Sequence, residues 1–265
     1  MNRPVYKAGF ISPPAWFDIS PTEFKRIAPE NTIVLQTMMR LPDFYQNSQQ
    51  FIDAVPELRA CYDSLAEAGA DVITQFGYPF SLVHGWQGAQ RLQEDIESNS
   101  GSRFIMMGVE VVNAIKHLGS KSIAVAATYY SGKTSKMLGD YLNEAGLEVL
   151  RTETWQSQGI AHGTDSSLFA GEGELDPMDW ATPINALEAI IRKVALKAPE
   201  ANAILVSGGG MRVLDLAERL ENEINKPVIG GDISIYWGIL RRLGIKDDIQ
   251  GHGALLASLS RSSPL

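Results

Sequence analysis

The sequence predicts an α/β fold made of two similar lobes that face each other across a cleft. Three observations carry that prediction. Short β-rich runs alternate with amphipathic stretches along the whole chain. Several of the runs are apolar without interruption, as strands covered on both faces of a parallel sheet must be. A strand followed at once by a glycine turn also occurs twice, at matching places.

The expected strands are Tyr6–Ile11, Thr32–Gln36, Asp71–Phe76, Arg103–Met107, Ser122–Ala127, Leu147–Thr152, Ala203–Val206 and Pro227–Ile229. Between them, helical periodicity marks Ser48–Ala68, Gln87–Glu97, Val109–Leu118, Ser135–Ala145, Pro183–Ala198 and Leu214–Asn225. Three helices carry their own stop signal. "LAEAGADVI", "IKHLGSKSI" and "LNEAGLEVL" each put a glycine just past the last turn, where a left-handed residue ends the helix. The longest irregular stretch, 163–177, reads as a lid or surface excursion.

The repeat is visible in "ADVITQFGYPF" and "NAILVSGGGMR", which set Gly77 and Gly208 131 positions apart. Each turn is followed by a helix, a strand and a second helix ending in Leu-Gly. Those ends, Leu118–Gly119 and Leu243–Gly244, lie 125 positions apart. The division expected is 1–118 plus 231–265 for one lobe and 119–230 for the other, interleaved in one unit.

Composition narrows the function. The 265 residues carry a net charge of −8, which argues against non-specific binding to nucleic acid, since that needs a basic face. No apolar run approaches the ~18 residues of a membrane span. The opening "MNRPVYKAGF" lacks a signal-peptide core, so a cytoplasmic location away from membranes is expected. The one cysteine, Cys61, excludes an internal disulfide and a thiolate zinc cluster. It sits inside the helical stretch "ELRACYDSLAEAG" and reads as a small core residue, not a nucleophile.

The chemistry is expected at the two glycine turns. The C-terminal ends of parallel strands are where such folds bind ligands. Glycines there expose backbone N–H groups to a carboxylate or phosphate, although Gly208, Gly209 and Gly210 are equally consistent with a tight turn alone. No Walker motif, GxGxxG or GxSxG pattern is present, which disfavours a nucleotide and a serine nucleophile elbow. In "AATYYSGKTSK", Tyr129 and Tyr130 follow a strand and could donate to an anion or act as acids; packing is the alternative. Lys133 reads as solvated. The histidines show no metal spacing: His117 suits a helix C-terminus, while His84 and His162 could reach the cleft. Asp232, after the last strand, reads as a helix cap.

These motifs together resemble the arylmalonate decarboxylases of the aspartate/glutamate racemase and maleate isomerase superfamily. The residues that carry the likeness are "GFISPPA", "FGYPFSLVHG", "AATYY", "QGI" at 158–160 and "ILVSGGGMRVLD". The resemblance implies two pseudo-symmetric Rossmann-like lobes with parallel four-stranded sheets and an active-site cleft between them. It implies no metal and no organic cofactor, and a small carboxylate substrate. Racemases and isomerases of that superfamily carry a cysteine at each turn, and the decarboxylases keep only the second; Gly77 and Gly208 occupy those places here. Tyr78 and Pro79 replace two hydroxyl residues that bind the spectator carboxylate. Thr74 keeps a hydroxyl, Tyr129 matches a carboxylate-site tyrosine, Phe51 aligns with another tyrosine, and 161–178 is longer than in the decarboxylases.

Two-base racemisation and thiolate addition are therefore unsupported, while decarboxylation depends less on a thiol. The expectation is a cofactor-independent lyase with Tyr129, Tyr78 and His84 as proton-transfer candidates. Pro14, Thr74, Gly77, Tyr78, Pro79, Tyr130, Gly208, Gly209 and His162 are expected to line the substrate site. Two alternatives stay open: a hydrolase or isomerase using a water activated by histidine or aspartate, and a non-catalytic carboxylate-binding protein. The sequence leaves monomer and homo-oligomer equally open.

Overall fold

The computed structural model describes residues 5–14, 18–41, 47–98, 100–128, 132–159 and 184–262. Among the described residues eight strands form, one at each expected run: β1 Tyr6–Ser12, β2 Thr32–Met38, β3 Val72–Gln75, β4 Arg103–Met106, β5 Ser122–Ala126, β6 Glu148–Glu153, β7 Ala203–Val206 and β8 Val228–Gly230. They make two four-stranded sheets, ordered β2-β1-β3-β4 and β6-β5-β7-β8. Every pairing is parallel. The same order in both sheets is the structural form of the sequence repeat.

Burial deepens toward the β4 and β8 sides of the sheets, where α10 packs. The interior strands β3 and β7 are buried at every residue, which is why "VITQ" and "AILV" show no polar alternation. The edge strands β2 and β6 mix exposed and half-buried positions.

The helices are α1 Ser20–Lys25, α2 Ser48–Asp53, α3 Val55–Glu67, α4 Tyr78–Leu82, α5 Gly85–Glu97, α6 Met107–His117, α7 Gly132–Glu144, α8 Ile184–Lys197, α9 Ala217–Ile224 and α10 Gly231–Arg242. Two expectations change. The stretch 48–68 is not one helix but α2 and α3, divided at Ala54, because Pro56 in the first turn of α3 has no N–H to continue α2. The stretch from 214 opens with a 3-10 turn, Val213–Asp215, before α9 starts. Cys61 is 7% exposed in α3, the core residue the sequence suggests.

One helix ties the sheets together. α10 is apolar almost all round, as a helix buried on every side must be, and packs on α6, β3, β4 and β8. Its backbone approaches α6 so closely that a Cβ on Gly238 would stand 2.7 Å from Glu110. Fully buried Glu110 pairs with Arg241 (3.0 Å) and Arg242 (3.1 Å) across that contact. Removing the carboxylate would leave two guanidinium groups without their counter-charge, a loss of about 3–5 kcal/mol. At the other end of α6, His117 bonds Ser258 (2.9 Å) and lies on Trp237, and burial lowers its pKa. It is thus a packed, neutral-leaning ring and not the helix-end cation that its sequence position suggests.

Candidate functional site

Strand register brings three strand ends to one level in each sheet. Ile11 of β1 pairs with Gln75 of β3, which pairs with Met106 of β4. Ala126 of β5 pairs with Val206 of β7, which pairs with Gly230 of β8. The two sets of ends meet across the lobes: a Cβ on Gly231, just after β8, would stand 3.0 Å from the Tyr78 ring and hydroxyl, just after β3. Arg26, just past α1, donates to both carboxylate oxygens of Asp215 (2.9 and 2.7 Å), and Tyr236 of α10 donates to Glu23 of α1 (2.8 Å).

The turn after β3 is held by its own strand. Gly77 has φ +103°, a conformation that side chains resist, and a Cβ there would meet Pro13 at 3.2 Å. The Gln75 amide donates back to the carbonyls of Phe76 and Gly77 (3.0 Å to the latter), satisfying acceptors that no ladder reaches. Tyr78 and Pro79 follow, both buried, and start α4. Pro14, on the loop after β1, is buried.

The turn after β7 is held by its neighbours instead. Gly208 has φ +118° and Gly210 +71°. Thr128, at the end of β5 and itself left-handed (φ +39°), donates from its hydroxyl to the Ser207 carbonyl at 2.6 Å. On the opposite side, Asp232 of α10 lies beside Gly210 and Arg212. It stands in the first turn of α10, the position from which the sequence reads it as a cap. A Cβ on Gly209 would meet nothing within 4 Å.

Behind this second turn lies a cluster of buried acids. Asp232 is 2% exposed, and burial with Glu23 and Asp18 nearby pushes its carboxyl well above the usual range. Burial likewise raises Glu23, partly offset by the hydrogen bond from Tyr236, and raises Asp18, partly offset by bonds from Ser20. Asp232 Oδ1, Ser207 Oγ, Thr74 Oγ1 and Gln75 Oε1 are buried with no hydrogen-bond partner among the described residues. All four belong to the strand ends or the residues just beyond them. Buried polar atoms are rarely left so, and hydroxyls flanking two glycine turns suit the oxygens of a small anion.

The other expected site residues divide. Thr74, Gly77, Tyr78, Pro79, Gly208 and Gly209 are at or beside the two turns. His84 is not: it follows α4, roughly 10 Å of chain rise from Gly77. Its neighbours Gly85 and Trp86 meet α7 at Glu144, near the ends of α6 and α7 remote from the strand tips. Burial lowers the His84 pKa. Phe51 packs edge-on to Phe80 at 4.9 Å, a contact in which a hydroxyl has no role. Tyr129, Tyr130, His162 and the stretch 163–177 lie outside the described residues.

With this geometry in view, comparison with known proteins places the chain. It matches the arylmalonate decarboxylase family over residues 8–165 and 178–256, a span that contains both glycine turns. The chain belongs to that family. It is 25% identical over 184 residues to an arylmalonate decarboxylase of Bordetella bronchiseptica, covering 68% of each chain. It is also 25% identical over 239 residues to a maleate isomerase of Pseudomonas putida, covering 87% of this chain and 86% of that one. The fold agrees with solved structures. An arylmalonate decarboxylase superimposes with a TM-score of 0.74 at 22% identity, over 95% of this chain and 99% of the other. A Nocardia farcinica maleate cis-trans isomerase with a covalently bound succinylcysteine intermediate gives 0.79 at 18%, over 98% and 100%. The two sheets and their order are thus those of an enzyme family whose named members include a decarboxylase and an isomerase.

Proposed function

We propose that this protein is a cofactor-independent lyase that decarboxylates a small malonate-like acid and reprotonates the product without a thiol. Membership of the decarboxylase family across both turns carries this reading. The absence of a cysteine from either turn shapes its mechanism.

One carboxylate of the substrate would rest on the backbone of the turn at Gly208, beside the α10 N-terminus, with the Ser207 and Thr74 hydroxyls as further donors. The departing carboxylate would face apolar surface. There, loss of solvation weakens the C–C bond, and the same fixed donors stabilise the charge left on the remaining carboxyl group. Reprotonation at carbon would fall to Tyr78, Tyr129 or water. Cys61 lies in α3 beside Thr37 of the edge strand β2, and its thiol is raised by burial and by Glu57, so it does not serve.

The relative named as a maleate isomerase supplies the competing reading, but the covalent succinylcysteine of the Nocardia enzyme needs a thiol that neither turn here supplies. The test is a panel of phenylmalonate, alkylmalonates and maleate followed by carbon dioxide release and by product NMR. The lyase reading expects carbon dioxide and the mono-acid from a malonate. Fumarate from maleate without decarboxylation would replace it by isomerisation, and tight binding without turnover by a carboxylate-binding role.

A further inference from the structure

We infer that Thr128 is a positioning residue for the carboxylate seat. Its hydroxyl, donated to the Ser207 carbonyl at 2.6 Å, turns the Ser207–Gly208 peptide so that the Gly208 N–H faces the α10 N-terminus. The inference rests on the reading of the Gly208 turn as that seat and names the side chain that aims it.

Along β7, backbone groups alternate between the two neighbouring strands. Ile204 donates its N–H to Pro227, beside β8 (2.9 Å), and Ser207 donates its N–H to Ala126 of β5 (3.0 Å). Residue 208 is therefore due to face the β8 side. There the ladder ends, because β8 stops at Gly230 and the chain turns at once into α10. Thr128 fixes the next peptide from the β5 side instead. A peptide is planar, and its N–H points opposite to its C=O. Holding the Ser207 carbonyl toward Thr128 thus sends the Gly208 N–H the other way, to the side where α10 begins. The same bond holds Ser207 itself, whose buried hydroxyl has no partner among the described residues.

The conformation of Thr128 fits that duty. Its φ is +39°, a region that a β-branched residue enters only at a cost and that glycine enters freely. A strained residue that keeps its side chain is held there by what the side chain does. Thr128 is fully buried, and its own carbonyl accepts the Trp155 N–H (2.9 Å), so its backbone is anchored while its hydroxyl reaches Ser207. The lobe repeat sharpens the point. Phe76 donates its N–H to Ile11 (3.0 Å) as Ser207 does to Ala126, which makes Phe76 the counterpart of Ser207 and Pro13 the counterpart of Thr128. Proline has no donor to offer, and the Phe76 carbonyl takes the Gln75 amide from its own strand. The strained hydroxyl belongs to the turn read as the seat and not to its counterpart.

Three variants test this by malonate calorimetry, by NMR of the Ser207 carbonyl and Gly208 amide, and by urea unfolding. Thr128→Ser keeps the hydroxyl and should bind malonate within about threefold of the wild type. Thr128→Val keeps the shape without the donor. It should move the Ser207 carbonyl resonance upfield and weaken binding by about tenfold. Thr128→Gly removes the positive-φ strain together with the hydroxyl, so it should fold at least as well as Thr128→Val yet bind as weakly. Affinities that merely follow the unfolding midpoints would reduce Thr128 to a structural residue and overturn the inference. So would a folded Thr128→Val protein whose Ser207 carbonyl resonance or malonate affinity matches the wild type. Failure of the seat reading looks different. The wild type itself would then not bind malonate, or would bind it with the Gly208 amide resonance unmoved, and the inference would fall with that reading.

Discussion

The two glycine turns sit at equivalent ends of equivalent strands, yet they are built in opposite ways. After β3, the chain passes through one glycine into buried Tyr78 and Pro79 and is helical at once; its own Gln75 pins the bend. After β7, three glycines run in succession, and Thr128, just past β5, holds the Ser207 carbonyl from outside. A turn filled by its own side chains is a wall. On the proposed reading the second turn, which has no side chains at 208–210, is the anion seat, with Tyr78 standing against Gly231.

The sharpest way to break this contrast is to put side chains on the bare turn. Gly208→Ala forces a Cβ into a backbone at φ +118° and should cost about 2–3 kcal/mol, read from urea unfolding. Removing the internal pin of the other turn should matter less. Gln75→Leu leaves the Phe76 and Gly77 carbonyls without their donor and should cost about 1 kcal/mol, with the second turn untouched. Gly209→Ala should change stability by less than about 0.5 kcal/mol, because its backbone is not at positive φ and its Cβ meets nothing within 4 Å. Calorimetry should nonetheless show weaker malonate binding, since the new methyl stands where the ligand rests. A Gly209→Ala protein that binds malonate as before would move the seat elsewhere.

The gentlest prediction concerns pH. Asp232, Asp18 and Glu23 all have carboxyls raised by burial, and they face Tyr236, Arg26, Arg212 and Asp215. A raised acid is neutral in the fold when it would already have ionised in the unfolded chain. Stability is therefore full below the ordinary carboxylate value near 4 and falls as pH rises through the raised values. Asp232→Asn should make that decline shallower in urea midpoints taken from pH 4 upward. An unchanged slope would show that Asp232 does not titrate in this window.

Much of this was legible beforehand because period and punctuation are local signals. "VITQFG" and "AILVSGGG" announced strand ends, and the 131-residue spacing announced the second lobe. The break at Ala54 was readable too, from Pro56, but the apolar periodicity running across it hid it. What could not be read was which side chains meet. Asp232 follows two glycines and an apolar strand, just as a cap would, and nothing in its neighbourhood encodes the return of Gly210 and Arg212 from twenty residues earlier. His84 was placed by its nearness in sequence to Gly77, whereas α4 carries it away along its axis. Tertiary packing decided the first and the direction of α4 the second.

The central claim is that this chain performs the decarboxylation of its family without a thiol. Carbon dioxide release from phenylmalonate, compared between the wild type and Cys61→Ala, tests it most directly. The account predicts release by both proteins at matching rates, since Cys61 is a core residue of α3. Release that vanishes in a folded Cys61→Ala variant, or no release from either protein when malonate binds, would contradict it.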